Sequence, residues 1–120
     1  TNLSTTGGGV KIPFDYTLFN TGNHFNTSTN TFTCPISGKY LFIWQGYQNG
    51  SQSLRMDLYK NGARYVGGYN SPTANSGTSS SVLLDAAAND TVYLTLESAT
   101  TTLYYGGVNP HTYLTGYLLG

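Results

Sequence analysis

Charge is the scarcest ingredient of this 120-residue chain: five basic and five acidic residues make up 8% of it and sum to zero at pH 7, against about 25% charged in an average soluble domain. No Lys or Arg cluster is present, and nucleic-acid backbones and anionic membrane surfaces both depend on one, so nucleic acid is not expected as a partner. The apolar runs fall far short of the ~18 residues of a spanning helix, so direct membrane insertion is not expected either. Cys34 is the only cysteine, which rules out an intrachain disulfide. It reads as a small buried apolar residue or, alternatively, as a reactive or intermolecular thiol. Only two histidines occur, His24 and His111, and neither sits in a metal-spaced pattern. A G-x-S-x-G elbow, a phosphate-cradling loop before a helix and a cysteine cluster are all missing. Asp15, Asp57, Asp85, Asp90 and Glu97 could in principle supply a carboxylate pair for acid–base work, but a solvated or turn role is the expected reading of each. The chain therefore reads as non-enzymatic and without a resident cofactor. It also lacks any capped window of apolar residues at helical spacing.

What fills the space is Ser, Thr, Asn, Gly and eleven tyrosines. From Val10 onward the segments IPFDYTLF, Thr31 to Cys34, GKYLFIWQGY, SLRMDLYKNG, ARYVGGY, SSSVLLD, TVYLTLES, TTLYYGG and HTYLTGYLL are short, β-branched or aromatic, and separated by Gly, Asn, Pro or Asp. Each reads as a strand. Asn61-Gly62 between two of them is the preferred pair for a two-residue type I′ turn. Asn89-Asp90 separates SVLLDAAA from TVYLTLE, and the polar stretch Tyr69 to Ser81 reads as an exposed loop. Residues 1–9, TNLSTTGGG, have the composition of a linker. Eight or more short strands with regular turn signals and no repeat period specify an all-β, two-sheet antiparallel sandwich or barrel. Four N-x-S/T sequons, at Asn2, Asn26, Asn49 and Asn89, carry little information in a chain so rich in these residues.

Within GKYLFIW, Tyr40, Phe42 and Trp44 fall on one face of a strand and Leu41, Ile43 and Gln45 on the other, because side chains alternate. Both faces are largely apolar, so the strand should be covered on both sides.

The pattern F-N-x-x-T-x-x-F-T-C-P-x-x-G-x-Y-x-F from Phe25 to Phe42 resembles the signature of the globular-head family of complement component one, subcomponent q, whose jelly roll is shared with tumour necrosis factor. The resemblance continues through LYKNG (58–62), SVLLDAAANDTVYL (81–94) and YLTGYLLG (113–120), and covers residues 10–120 in order. Two departures stand out: the family's first strand is missing or reduced to Thr1 to Ser4, and its usual Gly-Asp is here Asn89-Asp90. The resemblance implies a jelly-roll sandwich that forms homotrimers. Its trimer interface would be the aromatic set Tyr40, Phe42 and Trp44. It also leaves room for calcium, although no position matches a calcium motif; His24, Asp15 and Asp90 are the candidates for a ring of ligands around a threefold axis.

For recognition, the expected ligand-binding residues are Tyr47, Asn49, Tyr65, Tyr69, Tyr104 and Tyr105, which combine aromatic faces with amide and hydroxyl groups suited to carbohydrate or protein ligands. The expected function is a homotrimeric recognition head of a secreted or surface-displayed protein. The alternative is a structural or decoration protein, such as a trimeric fibre knob on a virion or phage, or a filament subunit completed by a donated strand.

Overall fold

The computed structural model describes residues 2–5, 9–49, 54–69, 76–97, 100–104 and 111–120. In chain order the strands are β1 (Asn2–Thr5), β2 (Val10–Lys11), β3 (Phe25–Asn26), β4 (Thr31–Thr33), β5 (Gly38–Gln48), β6 (Arg55–Lys60), β7 (Ala63–Tyr69), β8 (Ser76–Ala86), β9 (Thr91–Leu96), β10 (Thr100–Tyr104) and β11 (Tyr113–Leu118). They form two sheets of five and six strands. Every strand pairing is antiparallel.

The eleven-residue β5 organises the first sheet. Along one edge it pairs with β8 over its whole length, from Gly38↔Ala86 to Gln48↔Ser76. Its other edge carries β11, from Tyr113↔Gln45 to Leu118↔Tyr40, and then β10 at Leu103↔Gln48, with β1 outside β10. In the second sheet β9 lies between β6 on one edge and β4 and β2 on the other. β7 and β3 are the outermost strands.

Two turns at one end of the sandwich hold each other. Asn61 and Gly62 have φ of 52° and 81°, the paired positive values of a type I′ hairpin. Asn89, at φ 73°, makes the turn from β8 to β9. Asn61 Nδ2 donates to Asp90 Oδ1 at 3.0 Å, and the Thr91 amide donates to Asn61 Oδ1 at 2.9 Å. Asp90 also accepts from the Ala87 amide at 2.9 Å and lies 3.7 Å from Lys60 Nζ. These donors hold its carboxyl below the usual range, the Asn61 bond first among them.

Two expectations about strands need correcting. IPFDYTLF is not a strand beyond Lys11. The Ile12 amide still bonds to the Leu94 carbonyl, but Pro13 has no N–H to continue the ladder and Phe14 turns back to donate to the Ile12 carbonyl. The segment then crosses the open side of the sandwich as a strand of neither sheet. The stretch from Tyr69 to Ser81 is not all loop, because β8 starts at Ser76. A long partner decides this: β5 offers a full edge down to Gln48, and backbone bonding overrides the poor strand propensity of Ser and Gly.

The core lies between the sheets and includes Trp44, Phe42, Met56, Leu58, Leu94 and Leu96, all at most 1% exposed. Phe32 packs edge-on against Phe42 and Tyr40, with ring centroids 5.4 and 6.0 Å apart. Cys34 is fully buried, and burial pushes its thiol up to about 11.

Candidate functional site

The two faces of β5 decide which surface is left for a partner. Tyr40, Phe42 and Trp44 are each 1% exposed and belong to the core of the single chain. They cannot form the contact with a neighbouring subunit expected of them: the bulkiest set gains most by entering the space between the sheets, and it fills that space. The other set faces outward. Register places Leu41 between Leu83 of β8 and Tyr117 of β11, and Ile43 between Ser81 and Thr115. Ile43 is 37%, Leu83 57% and Tyr117 54% exposed. A cross-strand strip of Leu, Ile and Tyr thus faces water across three strands, where a sheet face with one solvated side is ordinarily polar. Asp85 and Lys39 close one end of this strip with an exposed ion pair at 3.4 Å.

A second feature lies along the outer edge of β11. A half-open cavity of about 670 Å³ separates this strand from the irregular segment following β2. Its floor is aromatic core, including Phe25, Phe32 and Phe42, and its rim carries Tyr16, Leu18, Phe19, Tyr117 and Leu118. Phe19 is 73% and Leu18 64% exposed. None of its lining residues is Asp, Glu, Lys or Arg. The ring of His24, also in the lining, meets Phe32 edge-on at 6.4 Å.

The outer face of the second sheet is self-contained by comparison. Lys11 Nζ sits 4.2 Å from the Tyr93 ring centroid, and Tyr93 stacks on Tyr59 at 5.2 Å. This cross-strand ladder covers ring faces that a sugar would otherwise use. Asp57 is fully buried beneath Arg55 and Arg64, with N···O distances of 3.1 and 2.9 Å. Gly67 leaves room for this carboxylate, since a Cβ there would overlap Asp57 Oδ1. The Arg55 guanidinium is held above its ordinary value by its hydrogen bond to Asp57. Glu97 accepts from Thr95 Oγ1 at 2.6 Å and from the Tyr59 hydroxyl at 3.2 Å. Burial, with Glu97 beside it, raises the Tyr59 hydroxyl.

The residues expected to bind ligand do not form one cluster. Tyr47 and Asn49 lie at the far end of β5, where the Tyr47 ring stands 5.7 Å from that of His111 and its amide donates to Thr112 Oγ1 at 3.1 Å. The backbones of Tyr69, paired with Arg55, and Tyr104, paired with Asn2, reach the same end of the sandwich. Tyr65 is 43% exposed but sits near the Asn61-Gly62 turn, toward the opposite end. Tyr105 lies outside the described residues. Among the metal candidates, Asp90 is committed to its turn, His24 lines the cavity and Asp15 is exposed. Among the described residues no three His, Cys, Asp or Glu side chains come together as a metal site. No helix among them is long and apolar enough to cross a membrane.

The sequence reading missed the pairing of Leu83 and Tyr117 with Leu41, and the cavity beside β11. The alternation in V-L-L and G-Y-L carried a signal for the first; the second depends on which strand ends the sheet.

Known proteins give the same picture of the fold. The sequence model of the C1q domain matches residues 1–119. A mouse (Mus musculus) protein, collagen alpha-1(X) chain, is 30% identical over 113 residues, covering 92% of this chain but 16% of its own length. This chain thus spans about a sixth of that relative. Among solved structures, the globular domain of zebrafish complement 1qA protein superposes with a TM-score of 0.76 at 15% identity, over 98% of this chain and 91% of that one. Eiger TNF from S. frugiperda follows at 0.69 and 15% identity, over 99% and 90%. At such identities the likeness concerns the two-sheet jelly roll alone.

Proposed function

This chain belongs to the C1q domain family, and on that premise we propose that it is a non-enzymatic recognition head that assembles as a homotrimer through the outer face of its first sheet. The observation that carries the reading is the strip of Leu41, Ile43, Leu83 and Tyr117, half-exposed on an otherwise hydroxyl- and amide-rich surface. Three copies around an axis would cover three such strips and leave the loop end, with Tyr47 and Asn49, facing outward. That end takes a carbohydrate or protein ligand through aromatic and amide groups. The collagen relative supports an extracellular placement, secreted or displayed on a cell or virion surface.

Light scattering on the purified chain, with and without calcium, tests the assembly. The expected mass is three times the 12.9 kDa chain. Ile43→Asp and Leu83→Asp, each placing a charge in the strip, should return the monomer mass with the fold intact by circular dichroism. A wild-type monomer at micromolar concentration sinks the trimer.

A structural role, as a fibre knob or a filament subunit completed by a donated strand, is the second reading. The edge of β11, which carries no strand among the described residues, favours it.

A further inference from the structure

β11 has β5 on one side and no strand on the other among the described residues. Its hydrogen-bonding polarity can be read residue by residue. The Leu119 amide donates to the Lys39 carbonyl at 2.7 Å, so odd-numbered positions of this strand turn their amides toward β5. The even-numbered positions Leu114, Gly116 and Leu118 therefore direct N–H and C=O outward, at the free edge. The side chains of these even positions point in, opposite the core residues Trp44, Phe42 and Tyr40. At Gly116 the side chain is missing, and a Cβ there would overlap the Phe42 ring. The result is an edge with unpaired main-chain groups directly above an aromatic-floored cavity of about 670 Å³.

A strand added to this edge would turn alternate side chains into the cavity, and the lining decides what they are. Without a charged residue to meet them, they are neutral; against Phe14, Phe25 and Phe32 below and Leu18 and Phe19 at the rim, they are large and apolar. Five of the ten exposed large hydrophobics among the described residues line this one groove. A flexible small molecule would satisfy the cavity and leave the edge unpaired. A peptide strand satisfies both.

We propose that the β11 edge and the adjoining groove form a β-strand acceptor site, whose ligand is an extended, uncharged peptide segment of another polypeptide with bulky apolar residues at alternate positions. The site deepens the second functional reading; it shares Tyr117 with the outer strip but not Ile43 or Leu83, so changes at those two test the trimer and a change at Leu18 tests the groove.

The test uses a capped seven-residue peptide alternating threonine with phenylalanine and leucine, and the same peptide with its threonine amides N-methylated or its apolar amides N-methylated. One methylation series should abolish binding and the other leave it, since only alternate amides of an added strand face β11. Hydrogen exchange read by NMR gives the second signal. In the free protein, Leu114, Gly116 and Leu118 should exchange much faster than Tyr113, Thr115 and Tyr117. Saturating peptide should slow those three at least about tenfold.

Leu18→Asp, a change at an exposed rim residue, should weaken binding about tenfold or more while Ile43→Asp leaves it intact. Binding that survives both methylation series, or that leaves the three amides fast, overturns the strand site in favour of an apolar pocket for a small ligand. Absence of binding at millimolar peptide overturns it outright. Slow exchange of the three amides in the free protein overturns the peptide ligand too: if it vanishes on dilution, a second copy occupies the groove, and if it persists, a segment of the same chain does.

Discussion

Phe42 and Ile43 are neighbours in sequence on opposite faces of β5, so truncating each to alanine tests the assignment of the faces. Phe42 is 1% exposed and in contact with Phe32, and removing a buried Phe side chain costs about 3–5 kcal/mol. Ile43 is 37% exposed in the single chain, so about two-thirds of the ~1.5–3 kcal/mol for full burial is at stake, and the retained Cβ reduces it to about 1 kcal/mol. With a urea slope of about 2 kcal/mol per molar, Phe42→Ala should lower the unfolding midpoint by about 1.5–2.5 M and Ile43→Ala by about 0.5 M. Urea titrations at several protein concentrations separate folding from assembly. The Phe42 effect should not depend on concentration, whereas Ile43→Ala should also reduce any concentration-dependent gain in stability. Equal shifts for the two variants would refute the facing of the strand. So would a Phe42→Ala protein that keeps its stability and loses only its assembly.

Further outcomes follow from single contacts. Gly116→Ala should destabilise the chain by about 1–3 kcal/mol in urea unfolding, because the added methyl overlaps the ring of Phe42, a core residue. Cys34, with its thiol pushed up to about 11, should stay unreactive to iodoacetamide at pH 8, where only about a thousandth is thiolate, and react once urea exposes it. Because the folded thiol holds its proton more tightly than its ordinary 9.0, the protein should lose stability between about pH 9 and 11, and Cys34→Ala should lose less over that window. Asp90 has the opposite sign. Its depressed carboxyl contributes stability that is full above its ordinary 3.8 and disappears as acid protonates it, so the stability gap between wild type and Asp90→Ala should be widest near neutrality and close below that value.

The elements that could be read from sequence are those whose cause is local. Tyr40 to Trp44 alternate with period two, and Asn61-Gly62 needs two positive φ values that few other pairs tolerate, so β5 and the β6–β7 hairpin were legible from a handful of residues. IPFDYTLF carries the same composition as a strand but joins neither sheet among the described residues, and strand pairing is not a local property. The start of β8 at Ser76 has the same origin, since it is set by the length of β5 rather than by its own serines. Alternation separates the two faces of β5 but does not say which turns inward; the volume between the sheets decides that, and it takes the Tyr-Phe-Trp set. The groove was beyond reach for a related reason: an edge is defined by the strand that is not beside it.

All five basic side chains have local occupations: Lys11 on Tyr93, Lys39 with Asp85, Arg55 and Arg64 on Asp57, and Lys60 with Asp90. Lys39 and Lys60 each face a carboxylate, Arg55 and Arg64 share one, and the formal charges sum to zero, so at a distance a charged partner meets no net charge. Encounters with it are then set by diffusion and shape, at association rates of about 10⁵–10⁶ M⁻¹s⁻¹ that change little with salt. A head of this kind would hold its targets through slow departure and through several copies acting together, and would work as well in brine as in dilute fluid.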